Sequence, residues 1–228
     1  MPAPDVAGWL LVGAVALVAV TGFGGAAVLL TVLVIAFGVR DAVPILTVAQ
    51  LSGNGSRVWF NRDQLDLRVV GWFAVGAVPL AFLGGLLFAR VPLPALTPPG
   101  RVPARNRGLP LRSFALIGAA ASVLSALLGS VGPLTAPFFL AYGLVKGAYI
   151  GREALATVVI HVTKLVAHRQ AAVLSATACL AGLAIGAIMI LGSYAGKQIA
   201  DRISERAFVL VIELTMIMAG VRFLVHGH

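Results

Sequence analysis

The chain has 228 residues, of which 60% are hydrophobic and only 11% charged, and its mean hydropathy is +1.00. Soluble domains carry about 25% charged residues, so these values predict an integral membrane protein and exclude a soluble globular one. The net charge is +9, but the basic residues mostly flank apolar runs, as they do in membrane proteins. No nucleic-acid partner is therefore predicted, and the lipid bilayer is the expected environment.

The first apolar run extends from Val6 to Val39 and is interrupted at Gly22-Phe23-Gly24-Gly25. A membrane-spanning helix needs about 20 residues, so the run is too long for one simple span. Clustered glycines weaken a helix, and a broken helix is tolerated in a membrane only where protein or a watery cavity satisfies its backbone. The break is therefore a candidate binding site, although glycines that serve only close helix packing are the alternative.

The next segments lie in the order expected of a polytopic helical protein. Apolar runs extend over Ala42–Phe60 and Leu67–Ala89 before a stretch that is rich in proline and arginine. Prolines exclude a continuous helix there, so residues 92–112 are predicted to be a cytoplasmic linker. The polar stretch Lys197–Arg206 is predicted to be a loop between the last two segments. The apolar segments after the linker are Ser113–Leu128, Leu134–Val145, Ala148–Val166, Ala171–Ile199 and Ala207–Val225.

An internal repeat relates the two sides of the linker. Setting Gly22 on Gly129 aligns Gly25 with Gly132, and a small gap then sets Asn54 on Lys164. The predicted domains are a first membrane repeat at 1–91, the linker at 92–112 and a second membrane repeat at 113–228. The last segment of the second repeat, Ala207–Val225, has no counterpart in the first.

The predicted fold class is all-α, a polytopic helical membrane protein with two homologous halves and about seven to eight membrane segments. Each half opens with a glycine-broken helix or a re-entrant hairpin. Hairpins place most of the 17 basic residues on one face, whereas single broken crossings divide them almost evenly. The positive-inside rule therefore favours hairpins with the linker in the cytoplasm.

Two polar clusters occur within membrane segments, where ionisable residues are costly and mark functional sites. Gln50, Asn54 and Arg57 follow spacings of four and three, and so do Thr157, His161 and Lys164. Each set shares one helical face. The donor groups of these residues, with backbone N–H groups at the glycine breaks, suit an anion. The predicted substrate-binding residues are Gly22, Gly24, Gly25, Gln50, Asn54, Arg57, Gly129, Gly132, Thr157, His161 and Lys164.

Structural roles are the alternatives for these side chains. Arg57 and Lys164 lie near segment ends, where long basic side chains can reach the interface. His161 is either a packed histidine bonded to a backbone carbonyl or a proton-coupling group, since histidine titrates near neutral pH. The acidic residue that looks deepest is Glu213, which is expected to be a structural partner of a buried donor.

Catalytic and metal-binding patterns are weak throughout. The four histidines show no metal-ligand spacing with acids, and no nucleophile-elbow pattern occurs. The prediction is a protein that is not an enzyme and has no cofactor and no metal site.

The chain resembles the sulfite exporter TauE/SafE family of membrane permeases, also described as four-toluene-sulfonate uptake permeases. The resemblance lies in Gly22–Gly25, in Gly129–Pro133, in Asn54–Asp66 with the glycine-rich segment to Arg90, and in Thr157–Arg169. It implies secondary transport of small sulfur-containing or organic anions, such as sulfite and sulfonates, across the bacterial inner membrane. The alternatives are a non-transporting membrane subunit of a larger complex and an intramembrane enzyme, and a homodimer is left open.

Overall fold

A computed structural model describes residues 25–88, 110–128, 132–170 and 174–214. These residues form helices joined by short turns and include no strand, so the all-α prediction is confirmed for them. The helices are α1 Gly25–Phe37, α2 Val39–Phe60, α3 Leu67–Phe88, α4 Ser113–Leu128, α5 Gly132–Ala141, α6 Lys146–Gln170 and α7 Ala176–Arg202. A 3-10 turn at Arg62–Gln64 follows α2, and residues 205–214 are helical.

The helix ends agree closely with the apolar runs, except at the polar stretch Lys197–Arg206. A loop was predicted there, but α7 continues to Arg202 and only residues 203–204 interrupt the helical structure. Lys197 and Asp201 explain the difference, because they stand four residues apart and their side chains form an ion pair of 2.9 Å. Ion pairs at this spacing stabilise an exposed helix. α7 therefore continues through these polar residues.

Two glycines form the turns that lead into α2 and α6. Gly38 has φ 77° and is the single residue between α1 and α2, while Gly143 has φ 88° between α5 and α6. This left-handed region is readily accessible only to glycine. Each glycine follows an aromatic residue, Phe37 or Tyr142, and neither turn was predicted.

The helices pack in a reciprocal pattern. α2 lies along α7, and α3 lies along α6, while α2 and α6 also contact each other. In the same way α1 packs on α2, and α5 packs on α6. The contact between α2 and α6 is therefore central to this packing, and the two predicted polar clusters lie on these two helices.

Small residues allow several of these helices to approach closely. A Cβ atom at Gly76 of α3 would collide with the carbonyl oxygen of Ala115, and one at Gly118 of α4 would collide with that of Phe73. In the contact between α2 and α7, a Cβ at Gly182 would lie 2.6 Å from Cβ of Val48. Contacts of this kind are typical of helix association in membranes.

Hydroxyl groups reinforce the same two contacts. Ser122 Oγ donates to the carbonyl oxygen of Ala77 at 2.9 Å, which links α4 to α3. Ser193 Oγ donates to the carbonyl oxygen of Gly53 at 3.2 Å, which links α7 to α2. Such interhelical bonds contribute about 0.6 kcal/mol on average in a membrane protein.

Two described helices are long and apolar enough to cross a membrane by length and composition, over Leu67–Gly84 and Ala176–Arg202. α2 and α6 have sufficient length, at 22 and 25 residues, but their polar and charged side chains lower their hydropathy. The described parts of α1, α4 and α5 have 13, 16 and 10 residues, and each adjoins residues outside the described ranges. The coarse prediction of apolar membrane helices is therefore supported, and the predicted number of segments stays a prediction.

Candidate functional site

The first predicted cluster forms a connected network on one face of α2. Asn54 Nδ2 donates to the backbone oxygen and to Oε1 of Gln50, both at 2.9 Å. Arg57 Nη1 reaches Oδ1 of Asn54 at 3.5 Å. Gln50 and Asn54 are buried, and Arg57 is half-buried. The structure thus brings these three residues together, and the two amides position the guanidinium.

Arg57 faces an acidic residue of α6 that the sequence interpretation missed. Glu153 is buried at 3% exposure, and its carboxylate attracts the Arg57 guanidinium while it also acts on the hydroxyl of Tyr149. Thr157 Oγ1 donates to Glu153 Oε1 at 3.1 Å. The signal was available in the sequence, since Glu153 stands four residues before Thr157 and so shares its helical face.

The second predicted cluster continues along that face of α6. Lys164 is buried at 2% exposure, and its Nζ donates to the backbone oxygen of Ser125 at 3.2 Å and approaches Ser125 Oγ at 3.5 Å. The Lys164 ammonium group is therefore buried against protein and does not extend to the surface, which contradicts the interfacial alternative for this residue.

The partner of Lys164 lies at the end of α4. Ser125 belongs to the last turn of Ser113–Leu128, where the final four carbonyl groups of a helix have no partner within the helix. The second glycine motif begins directly after this helix, at Gly129. A buried positive charge thus lies at the start of the predicted break in the second half.

Two histidines accompany Lys164. His161 is 3% exposed, and its Nδ1 has no hydrogen-bond partner among the described residues. Lys164 and His168 are both close enough to His161 to act on it electrostatically. His168 is fully buried and was not predicted as part of the site. We call His161, Lys164 and His168 the α6 basic cluster.

The glycine predictions fall mostly outside the described residues. Gly22, Gly24 and Gly129 lie outside them, whereas Gly25 and Gly132 are the first residues of α1 and α5 as described. The role of the breaks as a source of backbone donors stays a prediction.

Glu213 does not have the role expected of it. It lies in the helical residues 205–214 and is exposed, so it is not the partner of a buried donor. An apolar run does not show which side of a helix faces inward, and this acid lies on the outer side. Among the described residues, no three His, Cys, Asp or Glu side chains lie close enough to hold a metal ion.

Comparison with known proteins identifies the family. Neither a curated protein nor a solved structure matches the chain significantly. The family model described as "Sulfite exporter TauE/SafE" matches residues 6–99 and 95–223. This match extends over nearly the whole chain and includes both polar clusters and both glycine motifs. The chain belongs to the sulfite exporter TauE/SafE family and is a membrane transport protein.

Proposed function

We propose that the protein is a multi-pass permease of the bacterial inner membrane that moves small sulfur-containing or organic anions, such as sulfite or sulfonates. One observation carries this proposal. Lys164 is buried, and the atoms that contact its Nζ are the backbone oxygen and the hydroxyl of Ser125. In the described part of the chain, no carboxylate pairs with it.

Energetics favour an anion beside such a group. A charged side chain within a membrane is costly unless it is paired or lines a watery cavity, and neutral oxygens offset only part of that cost. The α6 basic cluster adds two imidazoles next to the ammonium group. An anion placed against Lys164 would supply the missing negative charge, and His161 Nδ1 is available to it.

We assign the following side-chain roles. Lys164 and Arg57 contact the anion at two successive positions, since Glu153, which acts on Arg57, precedes Lys164 by eleven residues of α6, about 16 Å. Gln50, Asn54 and Thr157 orient these groups or the substrate, and His161 lies on the Lys164 side.

The reciprocal packing supports a transporter built from two halves. If α2 corresponds to α6 and α3 to α7, the contact of α2 with α7 matches that of α6 with α3. Inverted repeats occur in transporters that work by alternating access.

Anion binding should be visible as thermal stabilisation of the purified protein. A ligand at 100 times its Kd stabilises a folded protein by about 2.7 kcal/mol. We expect thiosulfate, sulfite or a sulfonate to raise the Tm of the wild type, and small cations to have no such effect at equal ionic strength. Arg57→Ala should weaken the shift, because a charge-assisted hydrogen bond contributes about 1.5–3 kcal/mol.

The matched control is Arg62→Ala. Arg62 lies in the exposed 3-10 turn, with its guanidinium 4.6 Å from the ring of Trp59, so its loss should leave the anion-induced shift unchanged. An equal shift in the wild type, Arg57→Ala and Lys164→Ala would contradict the assigned site.

A further inference from the structure

Glu153 differs from every other acidic side chain in the described part of the chain. The described acids are Asp41, Asp63, Asp66, Glu153, Asp201, Glu205 and Glu213, and only Glu153 is buried. A buried carboxyl group is either paired or protonated, because removing a charge from water costs several kcal/mol. Its partners are the Arg57 guanidinium on α2 and the Thr157 hydroxyl on its own helix.

Few other ionisable groups reach this carboxylate. Tyr149, one turn earlier on α6, acts on it electrostatically. α5 contains no ionisable side chain. The other ionisable side chains on the described elements that pack against α6 are exposed or half-exposed. They are Arg40 and Asp41 in α2, Arg62 and Asp63 in the 3-10 turn, Arg68 in α3, Cys179, Tyr194, Lys197, Asp201 and Arg202 in α7, and Glu205, Arg206 and Glu213 in residues 205–214. The net charge around the Glu153 carboxylate therefore depends chiefly on Arg57 and on Glu153 itself.

The Arg57 guanidinium, which attracts Glu153, is also the group that we propose binds the substrate anion. An anion at Arg57 would lie near the Glu153 carboxylate, and two negative charges at short distance repel each other strongly in a poorly solvated site. Protonation of Glu153 removes that repulsion and frees the guanidinium. Binding of the proton and binding of the anion therefore favour each other, and this coupling is reciprocal.

We propose that Glu153 is the proton-coupling residue of the permease, so that anion and proton are carried together. In each cycle one proton joins the Glu153 carboxylate and one anion replaces that carboxylate at Arg57. Both leave on the opposite side, where the Arg57–Glu153 pair forms again. The charge at the pair is unchanged when a monovalent anion is bound, so transport of a monovalent anion is electroneutral. This inference rests on the proposed function.

The test uses the full chain in proteoliposomes with methanesulfonate as substrate. This anion stays ionised at any pH used, so it does not carry a proton itself. With the membrane potential held at zero by potassium and valinomycin, only proton coupling in the protein can drive its accumulation. With one proton carried per anion, vesicles whose interior is one pH unit more alkaline than the medium should accumulate the anion to about 10 times its external concentration. Wild-type protein should show this accumulation, and a pH dye inside the vesicles should report acidification during uptake.

Glu153→Gln imitates the protonated state and is expected to lose the 10-fold accumulation, while exchange of external for internal methanesulfonate persists. Glu213→Gln is the matched control, because it removes an exposed carboxylate in residues 205–214 and should retain full coupling. Glu153→Asp keeps a carboxylate and should retain some accumulation. Arg57→Ala should lose uptake altogether.

Two results would overturn the inference. One is methanesulfonate transport by wild type that does not respond to the pH gradient, a result that needs no variant to fold. The other is retained accumulation in Glu153→Gln. A wild type without any anion flux would instead refute the permease itself, so the two failures are distinguishable.

Discussion

Replacement of Lys164 by alanine is expected to reduce anion transport at least about 10-fold while the protein stays folded. The variant loses a buried charge whose interaction with a bound anion is estimated at about 1.5–3 kcal/mol, and each 1.4 kcal/mol corresponds to a factor of ten. Lys164→Met should behave in the same way, because it keeps the apolar part of the side chain in its buried position. Uptake of a radiolabelled anion into proteoliposomes, normalised to folded protein, measures the effect.

The control for this experiment is Lys197→Ala. Lys197 forms a surface ion pair with Asp201 at 2.9 Å, and exposed pairs contribute about 1 kcal/mol or less, so transport should not change. The contrary result for Lys164→Ala would assign Lys164 a structural role at the end of α4, where a basic group stabilises the last carbonyl groups of the helix. In that case Lys164→Ala would lower the Tm, and the flux per folded molecule would stay at the wild-type level.

Replacement of Gly76 by alanine is expected to produce the largest loss of stability. The new Cβ atom would collide with the carbonyl oxygen of Ala115, a backbone atom that cannot move away without separating α3 from α4. Overpacking of this kind costs about 1–3 kcal/mol. Since α3 precedes the linker at residues 92–112 and α4 follows it, the contact also joins the two predicted halves.

Gly71→Ala in the same helix provides the matched control. A Cβ atom at Gly71 meets nothing within 4 Å, and alanine is favoured over glycine in a helix interior by up to about 1 kcal/mol. Thermal unfolding in detergent should therefore show a lower Tm for Gly76→Ala and an equal or higher one for Gly71→Ala. A Gly76→Ala protein as stable as the wild type would show that α3 and α4 are not packed as described.

Local sequence signals predicted much of the fold. Hydropathy located α2, α3, α4 and α6, because lipid-facing and packed surfaces both require apolar side chains. Helical spacing grouped Gln50, Asn54 and Arg57 correctly, since it depends only on helix geometry. The sequence interpretation ended segments at Val39 and Val145, before charged residues, whereas the turns lie at Gly38 and Gly143, because a single glycine within an apolar stretch does not stand out by composition.

Contacts between distant helices could not be predicted in this way. The bond of Lys164 to Ser125 joins residues that are 39 positions apart and depends on how α4 and α6 approach each other. Glu153 was overlooked because it lies near the start of its segment, where an acid is ordinarily solvated. Glu213 was misjudged for the opposite reason, because a position within an apolar run does not determine which face of the helix is covered.

Direct measurement of anion flux tests the permease proposal most simply. Purified wild-type protein reconstituted into liposomes should take up thiosulfate or a sulfonate at a rate that saturates with anion concentration and exceeds that of protein-free liposomes. The same protein with Lys164→Ala should approach the protein-free rate. Folded wild-type protein that moves none of sulfite, thiosulfate, sulfonates or small carboxylates, and that purifies with a stoichiometric second protein, would contradict the account and indicate a non-transporting subunit.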